Sequence, residues 1–126
     1  MPKKDNKSKG DKAEFLAKKY LKSKGFLIIK TNFRLRFGEI DIIAKDTSDE
    51  YIVFVEVKYR TTTNYGTPSQ AINYTKIKKI KNTALAYLNL NDLHNKDVRF
   101  DVIEIIDSYK FSNKPEYKIN HIKSAF

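Results

Sequence analysis

The chain has 126 residues, with 25 Lys or Arg against 15 Asp or Glu, so its formal net charge is +10 at pH 7. That length is enough for one domain with one core, and the basic excess favours a nucleic-acid partner over a merely soluble basic protein or one that touches anionic membrane. The lack of cysteine excludes disulfides and thiolate metal sites, and the lack of a signal peptide or of any apolar run near ~20 residues predicts a cytoplasmic protein with no membrane partner.

The N-terminal segment combines a basic tail with an amphipathic helix. Residues 1–7 are rich in lysine and are predicted to be disordered, either as a solubilising tail or as an arm for nucleic acid. Ser8 begins a capping-box pattern, after which apolar residues recur at helical spacing until Gly25. These apolar residues are Ala13, Leu16, Ala17, Tyr20 and Leu21. Glu14 lies at the edge of their face, and residues 8–126 are predicted to form a single domain because no linker divides them.

A strand that runs into a turn is predicted over FLIIKTNFRLRF, residues 26–37. Arg34 and Arg36 alternate with apolar residues, so both guanidinium groups project to one side. Guanidinium suits bidentate binding of phosphate. The alternative is ordinary charge on the sheet surface that pairs with acids of a neighbouring strand.

A β-hairpin is predicted over GEIDIIAKDTSDEYIVFVEVKYR, residues 38–60, with strands at 39–45 and 51–60. Because side chains alternate between the two faces of a strand, the charged residues of each strand share a face: Glu39 and Asp41 in the first, Glu56, Lys58 and Arg60 in the second. Apolar residues take the opposite face: Ile40, Ile42 and Ala44, then Val53, Val55 and Val57. If Asp41 lies near Glu56 in an antiparallel pair, two carboxylates and an ammonium converge at one end of the hairpin.

This convergence of charge is typical of a metal site for phosphodiester chemistry. A buried ionised carboxylate costs several kcal/mol unless it is paired or bound to a metal, and a divalent cation relieves the repulsion between two adjacent acids. Mg²⁺ prefers oxygen ligands, and Lys58 would stabilise charge that develops on phosphate. The alternative is a solvated hairpin face whose acids pair with Lys58 or Arg60. The unbroken apolar run YIVFV before Glu56 favours burial.

The C-terminal half predicts a loop, a helix and a last core strand. Residues 61–69 form a turn-rich loop that is placed to contact substrate. A helix is predicted to start near Pro68, with an apolar face of Ile77, Ile80, Ala84, Tyr87 and Leu88. Its lysines lie largely away from that face and form either a solvated surface or a stripe that contacts a nucleic-acid backbone: Lys76, Lys78, Lys79 and Lys81.

Residues 98–106, VRFDVIEII, predict the last core strand, and a short edge strand is predicted at 117–122. Asp101 is predicted to be structural, paired with Arg99 or with a helix end, rather than a metal ligand. The two histidines of the chain have no metal-ligand spacing, so neither is assigned to the site.

The strings NFRLRFGEIDIIA, FVEVKYR, RFDV and HIKSAF closely resemble the YraN-type family of small, poorly characterised bacterial proteins, over residues 10–126. Asp41 followed by Glu56-Val57-Lys58 resembles the D…(D/E)xK signature of the PD-(D/E)XK nuclease superfamily. The resemblance implies a restriction-endonuclease-like fold with an αβββαβ core. The predicted order of helix, three strands, helix and strand agrees with that core and gives an α/β domain with a mixed central sheet flanked by helices.

The same resemblance implies an endonuclease that depends on Mg²⁺ or Mn²⁺ and acts on DNA, including branched or structured DNA, since the family is often compared with archaeal Holliday-junction resolvases. Asp41 and Glu56 would hold the metal, with Glu14, which matches the family's helical Glu, and Glu39 at or near it, and Lys58 would assist. The alternative for Glu14 is an exposed acid at the flank of its helix.

Gln70 and Tyr74 resemble a Q-x3-Y element that follows the E-x-K strand in some nucleases of the superfamily, although Gln70 could equally cap the helix. Resolvase-like enzymes act as dimers because a junction has two strands to cut, so a homodimer is an expectation. Two alternatives remain open: a nuclease that acts on RNA, and a nucleic-acid-binding module that keeps the nuclease-like fold without turnover.

Overall fold

The computed structural model describes residues 2–61, 73–108 and 116–126, and the side chains of 10–60, 73–108 and 116–126. Its elements are α1 (Pro2–Ser23), β1 (Phe26–Leu35), β2 (Gly38–Asp46), β3 (Ile52–Thr61), α2 (Tyr74–Leu90), β4 (Val98–Ser108) and β5 (Glu116–Ile122). The strands form one sheet in the order β1-β2-β3-β4-β5, with β3 and β4 parallel and every other neighbouring pair antiparallel. The α/β fold with a mixed sheet and an αβββαβ order is therefore confirmed, and β5 adds the predicted edge strand.

Helix α1 covers one face of the sheet with the apolar stripe that its periodicity predicts. Ala13, Ala17 and Leu21 are buried against central-strand residues that include Val53 and Ile103. Small side chains at the contact let the helix backbone approach the sheet closely.

The start of α1 differs from the prediction. The helix begins at Pro2, so Ser8 lies inside it rather than at its N-cap, and the backbone of residues 2–7 continues the helix where composition indicated disorder. Lysine is a good helix former, so a lysine-rich stretch can extend a helix. Within the described part of the chain, neither helix has the length and apolar character to span a bilayer.

Helix α2 covers the opposite face of the sheet. Its buried residues are Ile80, Thr83, Ala84, Tyr87 and Leu88, and the hydrophobic ones pack against Ile40, Ile43, Ile52 and Phe54. Four of the five predicted apolar positions are thus buried, while Ile77 is only half-buried. The hydroxyl of Thr83, which is also buried, donates to the carbonyl of Lys79 at 2.7 Å, so its polar group is satisfied within the helix.

The N-terminus of α2 is fixed by a side-chain cap. Asn73 has an extended backbone, and its side chain accepts a hydrogen bond of 2.8 Å from the backbone N–H of Lys76. The prediction that this helix starts near Pro68 is therefore wrong, because a strong capping residue occurs later in the sequence. Pro68 itself, Gln70 and most of the predicted 61–69 loop lie outside the described residues.

Strand β2 comes very close to α2 at Gly38. A Cβ atom on Gly38 would lie 2.4 Å from Oγ1 of Thr83 and 3.1 Å from the carbonyl oxygen of Lys79. Any larger residue would therefore push the helix away from the strand. This contact places the turn between β1 and β2 beside α2.

The face alternation of β2 is broken near Asp41. Ile42 and Ala44 pack on the α1 face of the sheet, whereas Ile40 packs on the α2 face, so the prediction that these three share a face is wrong for Ile40. Asn32, which lies between the β1 partners of Ile40 and Ile42, has a φ of 53°, and the β1–β2 ladder shifts register nearby, between Ile28 and Lys30. Irregular ladder positions of this kind re-aim side chains, and they occur frequently next to functional sites.

Candidate active site

Strands β2 and β3 bring Asp41 and Glu56 next to each other. Ile42 pairs with Val55 in antiparallel register, so Asp41 and Glu56 occupy the next pair of positions. The backbone N–H of Val57 donates to Oδ2 of Asp41 at 2.8 Å, which holds this carboxylate against β3. The predicted convergence of the two acids is present in the fold.

The environment of Asp41 disfavours its charged form. Burial raises the pKa of Asp41 to about 7, and the charges of Glu56 and Glu39 add to the rise. The hydrogen bond from Val57 and the charge of Lys76 oppose this rise only in part. A carboxyl group with an ordinary pKa near 3.9 is therefore held close to half-protonation at neutral pH, and a cation at this position would restore its charge.

Glu56 is 8% exposed and lies between two ammonium groups. Nζ of Lys76 is 2.8 Å from Oε1 of Glu56, and Nζ of Lys58 is 3.6 Å from the same oxygen. Burial, followed by the hydrogen bond and charge of Lys76, lowers the pKa of Lys58. Burial also acts to lower the pKa of Lys76, but its hydrogen bonds with Glu56 and Lys58 and the charges of Glu56 and Asp41 together outweigh this, so the net shift is upward. Lys76 is thus the firm partner of Glu56, and Lys58 is the more acidic lysine.

The position of Lys76 corrects the prediction that it lies on a stripe facing away from the sheet. Its ammonium points to Glu56 from the first turn of α2, which begins after Asn73. The sequence contains a signal for this direction of Lys76, because Lys76 lies four residues before Ile80. Residues four apart lie on the same side of a helix, and Ile80 is buried. Lys78, by contrast, is exposed.

The other two acids assigned to the metal have different partners. Oε2 of Glu39 lies 3.0 Å from Nε of Arg34, and both side chains are largely exposed. Oε1 of Glu14 accepts a hydrogen bond of 2.9 Å from the side chain of Asn32. Within residues 10–60, 73–108 and 116–126, no group of three or more His, Cys, Asp or Glu side chains could hold a metal ion.

The pair of acids nevertheless fits the requirements of Mg²⁺ or Mn²⁺. Mg²⁺ is usually bound through one or two carboxylates, with waters and substrate phosphates filling the remaining positions. Asp41 and Glu56 supply two adjacent carboxylates, and burial, followed by the charge of Glu56, raises the pKa of Asp41. Hard oxygen donors without nitrogen or sulfur favour this class of cation over zinc.

Arg60, which was assigned to nucleic-acid contact, lies instead in a polar row across the sheet. Its side chain is 15% exposed, and its guanidinium forms an ion pair with the buried Glu104 of β4. Glu104 also accepts a hydrogen bond of 3.0 Å from the side chain of Asn120 and pairs in register with Lys58. This arrangement leaves little of the Arg60 guanidinium available for phosphate.

A cleft of about 750 Å³ lies between the β1–β2 turn and α2, and Arg34, Arg36, Phe37 and Lys79 line it. A second cleft of about 360 Å³ shares Lys79 with the first and extends to Lys76, the partner of Glu56. Three of the predicted phosphate-binding residues, Arg34, Arg36 and Lys79, therefore line one cleft, which among the described residues is connected to Glu56 only through Lys76 in the smaller cleft. Tyr74, the accessory candidate in the first turn of α2, is 78% exposed.

A second charged network lies on the α1 face of the sheet, centred on Asp101, which is fully buried. Nε and Nη2 of Arg99 donate to its two oxygens at 2.9 and 3.0 Å, and Nε2 of His121 lies 2.7 Å from Oδ2. Although burial acts to raise the pKa of Asp101, these contacts and the backbone N–H of Ser124 lower it overall. The predicted pairing of Asp101 with Arg99 is confirmed.

Comparison with known proteins matches the chain to one protein family. A family model described as uncharacterised protein family UPF0102 matches residues 13–105. A UPF0102 protein of Clostridium botulinum strain 657 is 48% identical over 122 residues, which cover 96% of this chain and 95% of the relative. A UPF0102 protein of Clostridioides difficile strain 630 is 46% identical, over 97% of this chain and 99% of the relative. A UPF0102 protein of Clostridium novyi strain NT is also 46% identical, over 96% of this chain and 97% of the relative.

Proposed function

We propose that this chain is a Mg²⁺- or Mn²⁺-dependent nuclease that hydrolyses phosphodiester bonds in DNA. The chain belongs to the uncharacterised protein family UPF0102, which is the YraN-type family that its sequence resembles. One observation carries the proposal. Asp41 and Glu56 are adjacent in a buried hairpin, with the ammonium of Lys58 3.6 Å from Glu56. Adjacent acids of which one, Glu56, is buried and the other, Asp41, is half-buried would be costly for stability alone, and residues with perturbed pKa values cluster at functional sites.

In this reaction Asp41 and Glu56 would hold the divalent cation, which when bound supplies Lewis-acid polarisation of the phosphodiester and a water of lowered pKa. Lys58 has a pKa lowered by burial, so its ammonium is poorly solvated and ready to interact with charge on the phosphate. The hydrogen bond from Val57 fixes the orientation of Asp41 before substrate arrives. Preorganised groups of this kind contribute to rate because they need not rearrange during the reaction.

Lys76 serves as the counter-ion of Glu56 when no divalent cation is bound. Its ammonium, 2.8 Å from Oε1, satisfies a buried carboxylate that would otherwise be unpaired. A cation that binds Glu56 competes directly with this ion pair. Once released, Lys76 is available to substrate phosphate, because it already lines the smaller cleft.

A second candidate is a nucleic-acid-binding module with this fold and no turnover. It is favoured by the ion pair of Lys76 with Glu56, which neutralises one proposed metal ligand, and by the lack of a cluster of three or more metal-ligating side chains among the described residues. A module of this kind would use the clefts and the +10 charge for binding alone.

A cleavage panel separates the two candidates. Single-stranded, duplex, flap and four-way-junction DNA, together with RNA, are incubated with the purified chain in Mg²⁺ or Mn²⁺ and in EDTA. We expect metal-dependent cleavage of at least one DNA substrate. Binding without cleavage of any substrate would select the module, cleavage of RNA alone would change the substrate class, and failure to bind or cut any nucleic acid would overturn both candidates.

Asp41→Asn is expected to remove the response of the protein to metal. A ligand that binds only the folded state at a hundredfold excess over its Kd stabilises it by about 2.7 kcal/mol. Mg²⁺ or Mn²⁺ should therefore raise the Tm of the wild type but not that of Asp41→Asn. Lys76→Met removes the competing ammonium and should enlarge the metal-induced rise in Tm, while the exposed Asp92→Asn serves as a matched control.

The difference in stability between Asp41→Asn and the wild type is also expected to change with pH. The folded-state pKa of Asp41, about 7, lies above its value in the unfolded chain. The contribution of Asp41 to stability is therefore fully present below pH 4 and is lost as the pH rises through 7. Without metal, Asp41→Asn should be more stable than wild type at pH 8 and lose this advantage at pH 4, because Asn still accepts from Val57 but carries no charge.

In the metal experiment, an equal rise in Tm for wild type and Asp41→Asn would place the cation elsewhere.

A further inference from the structure

We propose that the cleft between the β1–β2 turn and α2 binds an unpaired nucleotide of the substrate, with its base stacked on Phe37 and its phosphates held by Arg36 and Lys79. This inference rests on the proposed function in one respect, namely that the ligand is a nucleic acid. It adds the substrate class: strands that present unstacked bases next to the cleavage position. The cleft of about 750 Å³ has room for a nucleotide, and Phe37, Arg36 and Lys79 all line it.

Phe37 is the least expected residue in this cleft. It occupies the short turn between β1 and β2, where Gly, Asn and Asp are the usual choices, and it is 50% exposed. A half-exposed ring in a turn contributes little to the core, so its exposed apolar surface is available for contact with a ligand. Aromatic rings bind single-stranded nucleic acid by stacking on bases, which works for every base because each has a π-face.

The charges around Phe37 suit phosphate. Arg34 also lines the cleft, but its guanidinium is 3.0 Å from Glu39, so this pair adds no net charge. Arg36 and Lys79 are exposed and contribute two positive charges beside the ring. Asn82, further along the cleft wall, provides an amide that can donate to and accept from a base edge. Two cations, a ring and an amide form the recognition chemistry of a nucleotide.

The position of the cleft relates this nucleotide to the two acids. The smaller cleft continues from Lys79 to Lys76, whose ammonium contacts Glu56. Gly38 lines both clefts and lets β2 approach α2, which keeps the turn that bears Phe37 close to the helix. A strand whose phosphates lie near Asp41 and Glu56 would therefore place a neighbouring base at Phe37. Bases inside a duplex are stacked on each other and cannot present a face to this ring.

The absence of tryptophan from the chain makes this proposal directly measurable. Phe37→Trp introduces a single indole at the cleft, and Phe15→Trp introduces one on α1, at a residue that is 60% exposed. Each variant is titrated in EDTA, so that no cleavage occurs, with a single-stranded oligonucleotide and with a blunt duplex of the same sequence. We expect the single strand to quench the fluorescence of Phe37→Trp, and little quenching for Phe15→Trp or with the duplex.

Affinity provides the second measurement. Stacking of one base is worth about 1–3 kcal/mol, so Phe37→Ala should weaken single-strand binding by about 5- to 150-fold and duplex binding far less. Phe15→Ala is the matched control and should bind like wild type. Lys79→Ala should reduce the slope of log K against log salt by about 1, whereas Phe37→Ala should leave that slope unchanged.

Two results would overturn the inference while leaving the nuclease proposal intact: single-strand affinity of Phe37→Ala equal to that of wild type, or equal quenching of the two Trp variants. Failure of wild type to bind any nucleic acid at low salt would instead remove the nucleic-acid ligand altogether, and with it the proposed function. Circular dichroism of each variant checks that the fold is retained.

Discussion

Lys58→Ala is expected to lower the single-turnover rate of metal-dependent cleavage by about 10²–10³-fold while nucleic-acid affinity stays close to that of wild type. The ammonium lies 3.6 Å from Glu56, and burial lowers its pKa, so it is positioned beside the proposed metal and held in a poorly solvated state. A phosphate contact that served binding alone would change the salt slope by about 1 and leave any cleavage rate largely unaffected. The fold should survive because Lys76 still neutralises Glu56 at 2.8 Å.

Two further variants make this test specific. Lys58→Arg keeps the positive charge but replaces a compact ammonium by a planar guanidinium, so it should bind normally and cut poorly. Lys96→Ala removes an exposed lysine that lies outside the predicted nucleic-acid stripe and should cut at the wild-type rate. Cleavage by Lys58→Ala at the wild-type rate would show that Lys58 has no catalytic role and that the activity belongs to a contaminant.

The hairpin that bears these residues could be predicted from the sequence because its signals are local. Alternating apolar residues, a polar turn and the run YIVFV before Glu56 define two strands, and their lengths leave Asp41 opposite Glu56. Strand pairing between neighbours in the sequence needs no knowledge of the rest of the fold. The order of elements was predictable from similar local patterns, and the parallel pair that makes the sheet mixed followed from the helical crossover between β3 and β4.

Other features depended on contacts that no local pattern reports. The face of Ile40 departs from simple alternation along β2, and ladder irregularities such as the register shift between Ile28 and Lys30 leave only weak sequence signals. The direction of Lys76 depends on where α2 begins, and Asn73 rather than Pro68 determines it. Arg60 has a partner on β4, Glu104, that is distant in the sequence. The pairing of charged residues that are distant in the sequence is therefore the feature of the site that only the structure reveals.

The network around Asp101 illustrates the same limit. Its pairing with Arg99 could be predicted because the two residues are two apart on one strand and so share a face. His121 and Asp46 come from other strands, and no spacing in the sequence relates them to Asp101. The network consequently ties β5 and the end of β2 to β4, on the face of the sheet opposite the proposed active site.

Arg99→Met is expected to destabilise the protein by about 3–5 kcal/mol, because it leaves Asp101 and Asp46 buried without their main cationic partner. Met keeps the volume of the aliphatic stem, so the loss reports charge and hydrogen bonding more than packing. Urea unfolding at pH 7 measures the free energy. Arg34→Met is the matched control: its ion pair with Glu39 is exposed, and pairs of this kind contribute about 0–1 kcal/mol. A loss for Arg99→Met no greater than the control would contradict the stabilising role.

The pH dependence and the metal response of this variant separate stability from function. Contacts with His121 and Arg99 lower the pKa of Asp101 in the folded state, so its contribution to stability is present above pH 4 and is lost as the pH falls through that lowered pKa. Arg99→Met should therefore lose less stability than wild type between pH 6 and pH 3. Because Asp41 and Glu56 have no contact with Arg99 in the described hydrogen bonds and ion pairs, Mg²⁺ or Mn²⁺ should still raise the Tm of the folded variant. A variant that is destabilised but still responds to metal would show that the two charged networks act independently, one holding the fold and the other holding the cation.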